Sequence, residues 1–492
     1  MKTVVWSVVL LCLSAFVGVG SAQVKLSSFE HIVLIVQENR TPDNLFQGLC
    51  LPPFGSASAC GTGAGQYDIQ SFGFDKSGKR IPLSAVPLGN FYDPGHSHQA
   101  FELMCNPNKT SFFPCSQNTR LSTADCPLRC SFAFVDPNVA PTIYPYLYMA
   151  QNFGWANRMF QTNQGPSAPA HQFLFGGTSA PSREDDAAAT FVAENPNGLG
   201  CLAPRNAVYS LIDPAHAPDE FNLVNNPLGT VCFTRDTMPT LLEANGLTWR
   251  YYTVGWVNKD VSSNIWTAPN WIRDICQPNS TYTKCEGEDW IDNVDLTPSD
   301  VLIDLKNCTL KNMVWVIPTG LNSDHPSEDP KIADNGGPAW VANVVNGVSN
   351  SPCTDTVKGN SVPYWQDTAI IVVWDDWGGF YDHVLPPFLS APKEGQGDYQ
   401  LGFRVPLLFV SAYTPPMIDS TTQYDFGSIL RFAEHNFRIT EGALGFADAR
   451  SATDLQGFYD LDLSPKKFQI PTDVPPEVFL YEQGPAEPPD ND

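Results

Sequence analysis

An α/β fold is what this chain predicts: a doubly wound, mostly parallel sheet with helices on both faces. Four uninterrupted apolar runs carry that expectation, Ile32–Gln37 (IVLIVQ), Met313–Ile317 (MVWVI), Ala369–Trp374 (AIIVVW) and Pro406–Val410 (PLLFV). Such runs, without polar alternation, suit strands covered on both faces. Between them lie segments with apolar residues at helical spacing: Thr237–Asn245, closed by Gly246, then Pro338–Val348 and Ser428–Phe437. Strands that alternate with helices imply crossover connections and therefore parallel pairing.

Residues 1–22 are expected to be a signal peptide: Lys2 is the positive start, Val4–Val19 is apolar, and Gly20-Ser21-Ala22 offers small residues for cleavage. Residues 23–483 are expected to form one folded domain, with insertions at about 50–141 and 180–235, both rich in Pro, Gly, Ser and Cys. The acidic, Pro-rich residues 484–492 read as a disordered tail. The chain has 13 cysteines, one of them (Cys12) inside the leader. An even remainder in an exported chain implies disulfides, and neighbour pairs Cys50–Cys60, Cys201–Cys232 and Cys276–Cys285 are expected.

A net charge of −24 argues against nucleic acid and anionic membranes as partners. No segment after the leader is apolar enough to span a bilayer, so integral membrane association is not expected. An anionic substrate is still admissible, because a bound cation inverts the local field.

Chemistry gathers where strands end. In open α/β sheets ligands bind outside the carboxyl ends of the strands. Two of the strongest runs end in oxygen donors, Glu38-Asn39 and Asp375-Asp376. Either pair alone reads as ordinary loop capping. If the strands are neighbours, three carboxylates and an amide oxygen converge, and a hard divalent cation relieves the repulsion. Ca, Mg or Mn would suit such donors. Ser167 follows Gly165-Pro166 at the expected start of a helix, where unpaired N–H groups and the helix dipole favour a phosphate oxyanion. A plain helix cap is the bland alternative. The pattern is not Gly-x-Ser-x-Gly, so a lipase-type elbow has no support. With eight histidines in all, His96 and His98 (DPGHSH), His325 (SDHPSED), His383 and His171, four residues past Ser167, are the candidates for proton transfer or phosphate contact. His31, at the start of a strand, reads as structural.

The segments HIVLIVQENRTPDNLFQG, DPGHSH, QGPSAPAHQFLFGGTS, SDHPSED, YWQDTAIIVVWDDWGGFYDHVLPP, GFRVPLLFVSAY and GSILRFAEHNF follow one another in order. In these the chain resembles the phosphoesterase family that includes non-haemolytic phospholipases C and respiratory-burst-inhibiting acid phosphatases. The resemblance implies an alkaline-phosphatase-like fold and a cation held by Glu38, Asn39, Asp375 and Asp376. It further implies Ser167 as nucleophile through a phosphoseryl intermediate, with His98 and His325 at the phosphate or leaving group. The substrate would be a small phosphate ester or a phospholipid head group. The family often has Asn-Arg where this chain has Ala170-His171, so a phosphate contact is absent or is taken over by His171 or Asn163; His96 is a further substrate-binding candidate. A sulfatase or phosphonate hydrolase of the same fold, or an inactive extracellular binding protein, are the competing readings. Sequence alone leaves the choice between phosphomonoester and phospholipid open, as it does the oligomeric state.

Overall fold

The computed structural model describes residues 26–74, 78–89, 93–104, 129–138, 141–194, 200–203, 208–212, 224–225, 232–254, 265–326, 336–389 and 399–481. The expected leader, the expected tail and Cys105, Cys115 and Cys126 lie outside these residues. Eight strands form the central sheet: β1 His31–Gln37, β2 Gly154–Ala156, β3 Trp249–Tyr252, β4 Val294–Asp295, β5 Met313–Val316, β6 Thr368–Trp374, β7 Leu407–Val410 and β8 Met417–Asp419. Their spatial order is β4-β3-β5-β1-β6-β7-β2-β8. All neighbours pair in parallel except that β7 runs antiparallel to both β6 and β2. β1 and β6, at the centre, are buried along their whole length, which is why their sequences never alternate with polar residues.

Register assigns the faces. Leu34, Trp315, Ile371 and Phe409 are cross-strand partners, so their side chains share one face. On that face Phe175 of helix α1 (Ser167–Gly176) packs on Trp315, and Phe432 of a later helix, Phe426–Phe437, packs on Phe409. Trp374 is three residues beyond Ile371 and so points the other way. There it meets Tyr146 of the helix Tyr144–Asn152, which in turn packs against the helix Gly337–Asn350. Helices thus cover both faces, as the sequence predicts.

The three expected disulfides are present, together with Cys308–Cys353. The described parts of 50–141 and 180–235 give no strand to the central sheet; the second has a small antiparallel sheet of its own. No helix among the described residues is long and apolar enough to cross a membrane.

Candidate active site

Parallel pairing of β1 with β6 places Gln37 opposite Trp374, so the two strands end level. The ladder then continues past both ends. Asp375 N–H donates to Gln37 O (2.9 Å), Arg40 N–H to Asp376 O (3.0 Å), and Asn39 N–H to the Asp375 carboxylate (3.0 Å). Glu38, Asn39, Asp375 and Asp376 are thereby set side by side, all fully buried. Asn39 adopts a left-handed conformation, φ 63°, a strain of about 1–3 kcal/mol that the surrounding bonds must hold. Gly378 makes this possible: a Cβ there would lie 2.3 Å from Asn39 O. Its N–H also donates to Asp376 Oδ1 at 2.7 Å.

Ser167 is the first residue of α1, directly after Pro166. The preceding loop is tied down from within. The Asn163 amide donates to Gly165 O (2.7 Å) and Pro166 O (3.1 Å), while Gln161 donates to Asn163 O and Gly165 O. The buried Ser167 hydroxyl donates to Asp376 Oδ2 at 3.1 Å and stands 3.4 Å from Asn39 Oδ1. It also lies at the helix end whose first N–H groups have no intrahelical acceptor.

The histidines divide into groups. His171, one turn along α1, has Nε2 3.1 Å from Glu38 Oε1 and 3.9 Å from Asp375 Oδ2. Burial pushes its pKa down to about 4, against the pull of Asp375. His96 is buried, with Nδ1 3.0 Å from Pro94 O and Nε2 3.1 Å from the Asn39 amide nitrogen. The carbonyl fixes the proton on Nδ1, so Nε2 accepts from Asn39 and turns the Asn39 oxygen toward Ser167. His325 follows β5; its Nδ1 faces Pro326 O (2.6 Å), and its ring lies 5.9 Å from that of His96. Asp93, His96 and His325 form one compact group. His98 is placed differently: its Nδ1 donates to Gln164 O (2.7 Å) and its Nε2 faces Glu102 (3.5 Å), so it braces the loop before Ser167. Asn163 likewise spends its donors on that loop. His383 bridges Asp43 (2.8 Å) and Asp68 (3.1 Å), and His31 bridges Lys311 O and Asp355 at the opposite end of β1.

Two supports were not legible in the sequence reading. Gln37 donates to Asn322 O and accepts from Asp324 N–H, tying the His325 loop to β1. The Asp324 carboxyl, raised to about 6 by burial against the opposing charge of Arg40, accepts from Trp374. The polar residue that closes an apolar strand, Gln37, was the available signal.

The donor set fits a divalent cation. Three carboxylates are buried together, and Asp375 Oδ2 accepts no hydrogen bond among the described residues. Glu38, His171 and Asp375 each offer a ligand atom, and these atoms lie within 4.8 Å of one another. Buried carboxylates this close need a positive partner.

A model described as the phosphoesterase family matches residues 29–440. Phospholipase C A of Mycobacterium tuberculosis (strain CDC 1551 / Oshkosh) is 25% identical over 460 residues, covering 86% of this chain and 75% of the relative. Hemolytic phospholipase C of Pseudomonas aeruginosa is 23% identical, covering 69% of this chain and 46% of that protein. A crystal structure of a protein in the alkaline phosphatase superfamily from Vibrio parahaemolyticus aligns at 10% identity over 60% of each chain, with a TM-score of 0.27.

Proposed function

The chain belongs to the phosphoesterase family and is an ester-bond hydrolase, and from that premise we propose that it is an exported, cation-dependent enzyme cleaving phosphate esters through a phosphoseryl intermediate on Ser167. One observation carries the reading: the Ser167 hydroxyl, at a helix N-terminus, lies 3.1 Å from Asp376 Oδ2 and 3.4 Å from Asn39 Oδ1. Glu38, Asn39, Asp375 and Asp376 would hold the cation, which when bound lowers the pKa of a neighbouring hydroxyl and neutralises phosphate oxygens.

Ser167 Oγ attacks phosphorus as the ester P–O bond breaks, and its proton passes toward Asp376. The helix N–H groups face the phosphate oxygens. His325, in its protonated form, gives a proton to the leaving oxygen. Water then displaces Ser167 from phosphorus and restores the hydroxyl. His96 acts through Asn39, and His98 and Asn163 hold the loop that ends at the nucleophile. The named relatives support a phospholipid head group as substrate; a small phosphomonoester uses the same chemistry. The disulfides and the apolar leader support export.

Purified protein assayed on 4-nitrophenyl phosphate and on phosphatidylcholine tests the reading. Ser167→Ala is expected to lower kcat by about a thousandfold or more at unchanged melting temperature. Wild-type turnover in that variant contradicts the assignment.

A further inference from the structure

We infer that His171 is a direct ligand of the active-site cation through Nε2, and that this nitrogen turns the site toward a transition metal rather than calcium or magnesium. The inference rests on the cation of the proposed function and specifies its chemistry.

Proton accounting leads to it. The Tyr251 hydroxyl has one hydrogen, and it is donated to Trp266 O at 2.7 Å. Toward His171 Nδ1, 3.4 Å away, the hydroxyl can therefore only accept. Nδ1 then carries the imidazole proton, and Nε2 of the neutral ring is bare. That bare nitrogen faces Glu38 Oε1 at 3.1 Å and Asp375 Oδ2 at 3.9 Å. A lone pair aimed at two carboxylate oxygens is repulsive unless something positive lies among them. A proton on Nε2 would serve Glu38 alone and leave Asp375 Oδ2 without a hydrogen bond. One divalent ion engages all three atoms.

The pattern is that of a metal-bound histidine, with the second ring nitrogen held by a fixed acceptor that sets tautomer and ring angle. Its place on α1 suits the role. Residues four apart share a helix face, so the helix that presents Ser167 also presents His171, one turn deeper. Calcium and magnesium are bound almost wholly by oxygen, whereas imidazole suits zinc, copper, iron and nickel. A buried set of carboxylate and amide oxygens with one imidazole therefore discriminates between the two groups of ions.

Full-length protein stripped with a chelator is titrated with Co(II) and with Ca(II), bound metal being measured by equilibrium dialysis, and the visible spectrum of the Co(II) form is recorded. Wild type is expected to bind Co(II) at least about a hundredfold more tightly than Ca(II). His171→Ala and His171→Asn are expected to lose Co(II) affinity more than tenfold, with altered Co(II) bands and little change for Ca(II). Tyr251→Phe, a milder change, is expected to weaken Co(II) about tenfold through loss of the acceptor on Nδ1. Spin-echo spectra of the Cu(II)-loaded wild type are expected to carry imidazole-nitrogen modulation, a readout that needs no variant. Missing nitrogen modulation, or wild-type Co(II) affinity and bands in folded His171 variants, overturns the inference but leaves the phosphoesterase reading standing. A wild type that binds no cation at all overturns both.

Discussion

Asn39 concentrates the demands on a single residue. It must hold a left-handed backbone, offer Oδ1 toward Ser167 and give one amide proton to His96. Only one orientation of its amide satisfies both neighbours, and His96 enforces it, because the Nδ1 proton is committed to Pro94 O. His96→Ala is therefore expected to lower the affinity for the proposed divalent cation by about 10–100-fold without unfolding the protein, as removal of an orienting partner does; equilibrium dialysis of the variant checks this, and unchanged affinity would mean that Asn39 needs no such help. The donor types at 38, 39, 375 and 376 were legible in the sequence because they directly follow apolar runs. The division among the histidines was not. His96 and His98 are two residues apart in one motif, yet one faces Asn39 and the other Gln164. Which way each points is fixed by residues distant in the chain, and no spacing rule conveys that.

Elements supply the alignment that single residues need. β1 and β6 were readable as buried strands, and their parallel pairing makes Glu38-Asn39 and Asp375-Asp376 neighbours. The direction of β7 was not readable, since a continuous apolar run looks the same in either sense; it runs antiparallel and so ends at the opposite edge from Glu38. The short strands β2, β3, β4 and β8 were missed because two to four residues are too few to show a period. Beyond the strands, the turn at Gly378 is as necessary as the proposed ligands. Its φ of 58° and its approach to Asn39 O admit no side chain. Gly378→Ala is expected to displace the 375–379 turn, destabilise the fold by about 1–3 kcal/mol and cut turnover more than tenfold. Denaturant unfolding and steady-state kinetics read the two effects, and a variant with wild-type values in both would show that the turn is less confined than its contacts imply.

Over the whole molecule, a buried charge network locks together the two loops that carry the proposed cation ligands. Arg404 lies between Asp382 (2.9 Å) and Asp43 (3.3 Å), all three buried, while His383 joins Asp43 to Asp68. Burial alone would lower the His383 pKa, but Asp43 and Asp68 outweigh it and raise the group to about 10. A raised pKa means that the folded state holds the proton more tightly than the unfolded state, whose histidine titrates near about 6.5. The stabilisation is complete below that pH and fades as pH climbs toward 10. The melting-temperature gap between wild type and His383→Gln is thus expected to be widest near pH 6 and to narrow toward pH 10; a gap that widens with pH would contradict the network. None of this was visible in the sequence, where Asp43, Asp68, Asp382 and Arg404 belong to four separate segments. The disulfide pairs were visible, because the bonded cysteines Cys50–Cys60 and Cys276–Cys285 are close in the chain and Cys201–Cys232 brackets a stretch free of other cysteines. Sheet, loops and network together hold the Ser167 hydroxyl beside Asp376 and Asn39, where the proposed function has it attack phosphorus. Acid quenching of the enzyme during turnover of a phosphate ester, followed by peptide mass spectrometry, tests that most directly: the account predicts phosphoserine at Ser167, and continued turnover with phosphate on another residue, or on none, would contradict it.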